Sequence, residues 1–218
     1  MMKASYLALP LLLIPLVASA EKGWYGVVSL GKVTETPDLF EVNTQGDRYD
    51  HYIYNNDGDH GSSSGRSIKN LAAGYSFNKN LASELEWQSR SWKTYYNYGM
   101  YGDDFKSKNN AFLLNGIYQL PIKNQVSIYA KGSLGMAHHS ISTTNDFQAG
   151  YFYPKSTNTT AAFGLGAGVK VDISKNFGLG LEYRRMDLGQ ISSANEQNSK
   201  LTFDLQDTEL TGSMYIYF

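Results

Sequence analysis

Residues 80–90 read NLASELEWQSR. From Leu81 onward, Leu81, Ser83, Leu85, Trp87 and Ser89 alternate with Ala82, Glu84, Glu86, Gln88 and Arg90. A period of two is the repeat of a β-strand, whose successive side chains point to opposite faces. One question about this stretch decides the fold: which of its faces meets water. In a soluble sheet Glu84, Glu86 and Arg90 face solvent while Leu85 and Trp87 face a core. In a strand set in lipid the assignment is reversed.

The same alternation recurs in eight segments, at 23–33, 67–77, 81–93, 110–120, 126–137, 159–171, 177–186 and 204–218. No segment shows a sustained helical period. The connections between them run 33, 3, 16, 5, 21, 5 and 17 residues, long and short in strict turn. In an up-and-down barrel, alternate connections lie at the same end. Tight turns at 78–80, 121–125 and 172–176 therefore share one rim, and the long loops share the other. Short periplasmic turns opposite long extracellular loops are the arrangement of outer-membrane barrels.

Composition narrows the class. Residues 1–20, MMKASYLALPLLLIPLVASA, carry one early cation (Lys3), an apolar run of 11 residues from Leu7 to Val17, and a small-x-small ending at Ala18, Ser19 and Ala20. That is the pattern of a cleaved secretory signal. The run is too short, and too interrupted by Pro10 and Pro15, for a spanning helix. The mature chain is then 218 − 20 = 198 residues, one domain over 21–218, with a formal charge of −1 − 1 = −2 because only Lys3 is lost. Such a charge is no footprint for nucleic acid. With no cysteine, disulfides, thiolate metal sites and cysteine nucleophiles are excluded. Tyrosine is abundant, 17 against 3 tryptophans; strands and membrane interfaces both favour it.

The two faces divide by chemistry. The more apolar face carries, in order along the chain, Trp24, Val28 and Leu30; Leu71, Tyr75 and Phe77; Leu81, Leu85 and Trp87; Phe112, Leu114 and Tyr118; and so on to Leu210, Met214, Ile216 and Phe218. The opposite face carries small residues and eight charges: Glu84, Glu86, Glu182 and Glu209 against Arg90, Lys131, Lys170 and Arg184. The interior of an eight-stranded barrel is just wide enough for side chains to fill. Isolated charges there cost several kcal/mol each in desolvation, so they must pair. Four against four permits pairing, and the expectation is a lumen network of ion pairs with Leu85, Trp87 and Leu181 facing lipid.

Two further signals agree. NLASELEW (80–87) and NFGLGLEY (176–183) each place Leu-Glu-aromatic five residues after a turn asparagine, opening two ascending strands half a barrel apart. The chain ends in a strand whose last residue is Phe218. With GWYGVVSLG (23–31), IYAKGSLGMA (128–137) and NFGLGLEYRR (176–185), the chain resembles the small outer-membrane β-barrel family of the OmpA transmembrane domain, OmpX and the opacity-like porins. The resemblance covers essentially all of 23–218. It implies an all-β fold: an eight-stranded antiparallel up-and-down transmembrane β-barrel with a polar, plugged interior, monomeric, in a bacterial outer membrane. It also implies Phe218 as an assembly signal read by the barrel-assembly machinery. It implies no single function, since members serve as anchors, attachment proteins and occasionally lipid A-modifying enzymes.

Specificity is expected in the long loops. Residues 34–66 hold seven acids and two bases, a net of −5. NNDGDHG (55–61) misses the spacing of a calcium-binding EF-hand loop, and neither metal nor cofactor is expected. Tyr49, Tyr52, Tyr54, Tyr96, Tyr98, Tyr101, Tyr151 and Tyr153 crowd the same end. They read as an interaction surface, because tyrosine gives contact area at low entropic cost, or equally as cross-strand pairs on strands that continue past the membrane. His138 and Ser140 share a strand face and form the candidate nucleophile pair, although the nearest downstream acid is Asp146. The expected function is non-enzymatic: adhesion or colonisation through the loops, toward a host-cell or matrix ligand, with envelope integrity through lipid and lipopolysaccharide contacts. The alternatives are a narrow small-solute channel and a lipid A-modifying enzyme.

Overall fold

The computed structural model describes residues 23–33, 38–42, 48–51, 64–98, 101–123, 125–144, 155–194 and 200–218. The expected signal segment lies outside them. Ten strands follow in chain order: β1 (Gly23–Val33), β2 (Asp38–Val42), β3 (Arg48–His51), β4 (Ser64–Ser76), β5 (Leu81–Tyr98), β6 (Tyr101–Lys123), β7 (Val126–Thr144), β8 (Ser156–Ser174), β9 (Phe177–Ala194) and β10 (Lys200–Tyr217). Eight of them form a closed antiparallel ring, β1-β4-β5-β6-β7-β8-β9-β10, sealed by pairing of β1 with β10. Closure removes every open edge within the membrane, which hydrocarbon demands because it offers backbone groups no partner. At the seam Tyr25 pairs Tyr217, and the Phe218 N–H donates to the Trp24 carbonyl at 3.1 Å.

The orientation is the reverse of a soluble barrel. Leu85 is 69% exposed and Leu181 56%, whereas Glu84 is 2% exposed and Glu182 3%. Outward apolar residues form a continuous belt, for instance Phe112, Leu114, Tyr118, Leu120 and Ile122 on β6. A patch of this extent is foreign to a water-facing surface, and hydrocarbon is the environment that matches it.

The tight-turn rim is built by asparagine. The Asn78 side chain accepts the N–H groups of Asn80 and Leu81 at 2.8 and 2.9 Å, closing the β4–β5 turn. The sequence echo has a structural counterpart. Asn80 Nδ2 donates to the Gln119 carbonyl at 2.9 Å, and Asn176 Nδ2 donates to the Tyr217 carbonyl at 3.2 Å. Each asparagine thus ties the foot of an ascending strand to the end of the descending strand beside it. Six residues further along, Glu86 and Glu182 occupy matching lumen positions.

The strands are longer than their alternation implies. The connection expected at 94–109 is almost wholly strand, with β5 and β6 paired as far as Tyr98 and Tyr101. Within 34–66, β2 continues the path of β1 up the same edge of β10: Val33 pairs Glu209 and Asp38 pairs Asp204. Strand β3 then folds back onto β2. Alternation marks a strand only where one face meets lipid and the other does not; beyond the belt that contrast ends while backbone pairing continues. At the opposite rim Pro121 lies inside β6, opposite Ser127 and beside a register shift, rather than in a turn.

One bulge changes the upper wall. Between the pairs Gln206–Asp187 and Asp204–Gln190, β9 contains one residue more than β10. Gly189, at φ +75°, takes up the excess in a conformation that favours glycine, and its N–H donates to Asp187 Oδ1 at 2.8 Å. The lumen face of β9 accordingly shifts from Leu188 to Ile191.

Two measurements check this packing. Folded protein should migrate differently in SDS gels before and after boiling; a single mobility in both lanes contradicts the closed barrel. A side chain at Gly168 meets the Tyr129 ring at 2.4 Å, whereas one at Gly116 meets nothing within 4 Å. Gly168→Val should therefore cost about 1–3 kcal/mol in urea unfolding, and Gly116→Val should leave the midpoint near wild type.

Candidate functional site

The lumen is filled in layers. Nearest the tight turns lie Tyr25, Tyr129 and Tyr215, all buried, with Tyr217 packed against them. Their rings make this layer apolar, and their hydroxyls serve the layer above: Tyr25 donates to Glu84 at 3.1 Å and Tyr129 to Glu182 at 3.0 Å. Lys170 sits over the Tyr215 and Tyr217 rings, 5.7 and 5.4 Å from their centroids, and donates to Gln119 at 3.1 Å. Tyr217 in turn donates to Asp172 at 2.5 Å.

The middle layer is an ion network that spans the lumen from wall to wall. From β9, the Arg184 guanidinium reaches Glu86 on the opposite strand β5 with two bonds, 3.1 and 2.9 Å, and holds Glu209 on β10 at 3.0 Å. Lys131 on β7 lies 3.1 Å from Glu84, 3.0 Å from Glu182 and 3.8 Å from Glu86. Higher up, Arg90 pairs with Asp207 at 2.5 Å and with Glu209, while Gln88 accepts from Arg90 and donates to Glu209 at 3.1 Å. Asn115 completes the set by donating to Glu86 at 2.7 Å.

Seven of the eight expected charges are buried here; Lys170 lies at the rim with its side chain 12% exposed. The expected four-to-four balance is corrected by Asp207, 5% exposed and on the same strand face as Glu209 and Thr211. Among the described residues five buried acids face three buried bases. Each base therefore serves two or three carboxylates instead of one.

Above the network, apolar residues close the upper lumen along one wall: Leu113, Met186, Leu188, Ile191, Phe203 and Leu205. Buried His139 lies among them. Its Nδ1 pairs with Asn109 at 2.9 Å, and its Nε2 pairs with Thr160 at 2.8 Å and the Leu188 carbonyl at 2.9 Å. This reach matters because the backbone pairing of β8 and β9 runs only as far up as Phe163 and Asp187. Beyond that point side chains bridge the two strands, Ser156 and Asn158 donating to the Ser192 and Gln190 carbonyls.

The sequence reading missed the tyrosine layer, Asp207 and His139. Strand parity carries all of them: Tyr129 and His139 share a face with Lys131, Tyr215 and Asp207 share one with Glu209, and Tyr25 shares one with Val27 and Ser29. The alternation reading places these four rings on neither face, and it singles out His138 rather than its neighbour. His138 faces outward and pairs with Thr159 at 3.0 Å; His139 is the one inside. Of the tyrosines expected to form an interaction surface, Tyr49 lies on β3, Tyr96 and Tyr98 on β5, and Tyr101 on β6. Tyr52, Tyr54, Tyr151 and Tyr153 lie outside the described residues.

Comparison with known proteins agrees with the architecture. The family model for the outer membrane protein beta-barrel domain matches residues 4–211. No curated protein matches the chain. Among solved structures, the chain is similar to OprG from Pseudomonas aeruginosa, at 14% identity and a TM-score of 0.59, covering 91% of this chain and 97% of that one. It is also similar to Neisserial surface protein A, at 17% identity and a TM-score of 0.50, covering 90% and 97%. The outer membrane protease OmpT from Escherichia coli follows at 7% identity and a TM-score of 0.50, covering 94% and 99%. At these identities the likeness is one of fold.

Arg184→Met leaves Glu86 and Glu209 short of a buried partner and should destabilise the barrel by about 3–5 kcal/mol. The loss should appear as a lower unfolding midpoint in urea, partly restored when Glu86→Gln is added. A midpoint unchanged in the single variant contradicts the network.

Proposed function

Because the chain belongs to the outer membrane protein β-barrel domain family and so to the bacterial outer membrane, we propose that it is a monomeric, non-enzymatic anchor that presents an extracellular β-platform to host-cell or matrix ligands. The observation that carries this reading is the height of the wall above the lipid belt. On β6, among the residues whose side chains are described, the outward apolar ones begin at Phe112, yet the strand begins at Tyr101. Those upper residues amount to about 35 Å of strand. An anchor alone needs only enough strand to cross the belt. The β2–β3 hairpin broadens the platform beside β10.

Chemistry supports the same reading. Tyrosines of β3, β5 and β6, with those of the adjoining connections, supply large contact area with few rotatable bonds. The filled lumen favours a plug over a passage. His138 engages Thr159 and lies at the belt's upper edge, an arrangement that supports a structural rather than a nucleophilic pair. We also take Phe218, ending the sealing strand, as the residue presented to the barrel-assembly machinery, and the closed belt as a contribution to envelope integrity.

A second reading, a narrow path for small solutes, is favoured by three buried side-chain atoms that lack a partner among the described residues: Asn70 Oδ1, Asn109 Nδ2 and Asn115 Oδ1. Buried polar atoms of this kind hold ordered water, and these three lie on the inner wall.

Two experiments separate the readings. Refolded protein in nanodiscs should bind host cells or matrix, and replacing 34–66 with a tight turn should abolish binding while heat-modifiable migration persists. Binding that is equal in both forms, or missing from both, refutes the platform. In planar bilayers Glu86→Ala and Arg184→Ala should raise conductance if the ion network gates a path; a baseline unchanged in both removes the channel reading.

A further inference from the structure

Each of the three tight turns carries the dipeptide Lys-Asn: Lys79-Asn80, Lys123-Asn124 and Lys175-Asn176. Apolar residues four apart bracket every pair, Phe77 with Leu81, Ile122 with Val126 and Ile173 with Phe177. Phe77, Leu81, Ile122 and Ile173 are exposed members of the lipid belt. The chain therefore leaves hydrocarbon at one bracket residue, turns beyond the belt and re-enters at the other.

The lysines are not used by the fold. Asparagine closes these corners instead: Asn78 accepts two N–H groups of the first turn, while Asn80 and Asn176 hold carbonyls of the strands beside them at 2.9 and 3.2 Å. Lys79, Lys123 and Lys175 are all exposed. Among the described residues, their ammonium groups enter no ion pair and no hydrogen bond.

The rim also offers them no counter-charge. The described acid closest in sequence to any of the three is Asp172, and it is engaged within the rim. Tyr217 donates to it at 2.5 Å, and Lys170 lies 3.9 Å away. At the other end of the barrel, residues 34–66 carry a net of −5. Charge is thus divided along the membrane normal, with spare cations at the tight turns and acids at the long loops.

Position narrows the partner. Lipid headgroups are met from the outward flank of a barrel, and at this rim the flank is formed by the apolar bracket residues. The cations stand at the turns between them, which lead on into the periplasm. Successive turns are two strands apart, about 10 Å around the rim. That spacing sets three charges along an arc and does not gather them around one small anion.

We propose that this rim docks onto the carboxylate-bearing polymer of the periplasm, peptidoglycan, with Lys79, Lys123 and Lys175 each meeting carboxylates of its peptide stems. Each contact is a weak, exposed ion pair, and the affinity arises from three acting together. The site lies at the end of the barrel away from the extracellular platform. Its failure leaves the functional reading above untouched, and the reverse also holds.

Co-sedimentation of the full barrel, refolded into phosphatidylcholine nanodiscs, with purified peptidoglycan sacculi tests the assignment. Wild type should sediment with the sacculi and be released at about 1 M salt, where the screening length falls to about 3 Å. Lys79→Gln, Lys123→Gln and Lys175→Gln combined should lower capture about tenfold, the sum of three weak pairs. Arginine at the same three positions should preserve it. Lys69→Gln, Lys106→Gln and Lys108→Gln combined remove equal charge from exposed positions toward the loop end, and should leave capture at the wild-type level. Sacculi with amidated carboxylates should capture nothing, and heat-modifiable migration should persist in every variant. Wild type that stays in the supernatant overturns the proposal. So do equal losses in the two glutamine triples, which would reduce the effect to net charge. Equal capture by phosphatidylglycerol vesicles overturns it too, because the rim would then hold any anionic surface.

Discussion

The Arg184 guanidinium, shared between Glu86 on the facing wall and Glu209 on the neighbouring strand, ties the barrel together through its middle. A closed eight-stranded sheet leaves a lumen only as wide as two opposing side chains, and whatever lines it must meet its counterpart across the axis. Once charges occupy that position, removing one partner leaves a buried charge uncompensated, and the fold is penalised. Lys131 and Arg90 follow the same rule, each drawing together carboxylates from different strands.

The layers above and below depend on this middle. Tyrosines beneath it present rings to one another and hydroxyls to Glu84 and Glu182, which makes them a transition from apolar packing to ionic pairing. Above it the lumen turns apolar, and the wall there is held differently. Where the β8–β9 ladder stops, His139, Ser156, Asn158 and Thr160 bond to β9 carbonyls in place of backbone N–H groups. The bulge at Gly189 sits in this region and shifts the β9–β10 register by one residue. Beyond the belt the other strand pairs thus continue their backbone ladders and a hairpin is added, while side chains bridge the gap between β8 and β9.

Legibility in the sequence follows from this division. Within the belt each strand separates hydrocarbon from a polar lumen, so Leu85 and Glu86, or Leu181 and Glu182, announce opposite environments one residue apart. Asn80 and Asn176 mark equivalent corners because the same turn chemistry recurs. The continuation of β5 to Tyr98, the β2–β3 hairpin and the upper part of β10 lack that signal, since neither of their faces meets lipid. Tyr25, Tyr129 and Tyr215 were hidden for another reason: a ring with a polar tip suits a membrane interface and a polar lumen equally well.

The sequence by itself determined the class of fold, the number of membrane strands and the side of each that faces lipid. Those follow from a two-residue period and from the alternation of short and long connections, both local along the chain. Which charge meets which was decided only by tertiary structure. Partners such as Arg184 and Glu86 stand on opposite walls, and their meeting depends on strand register, tilt and closure. The extension of the wall beyond the membrane was likewise settled by pairing, because backbone hydrogen bonds join strands whatever their side chains encode.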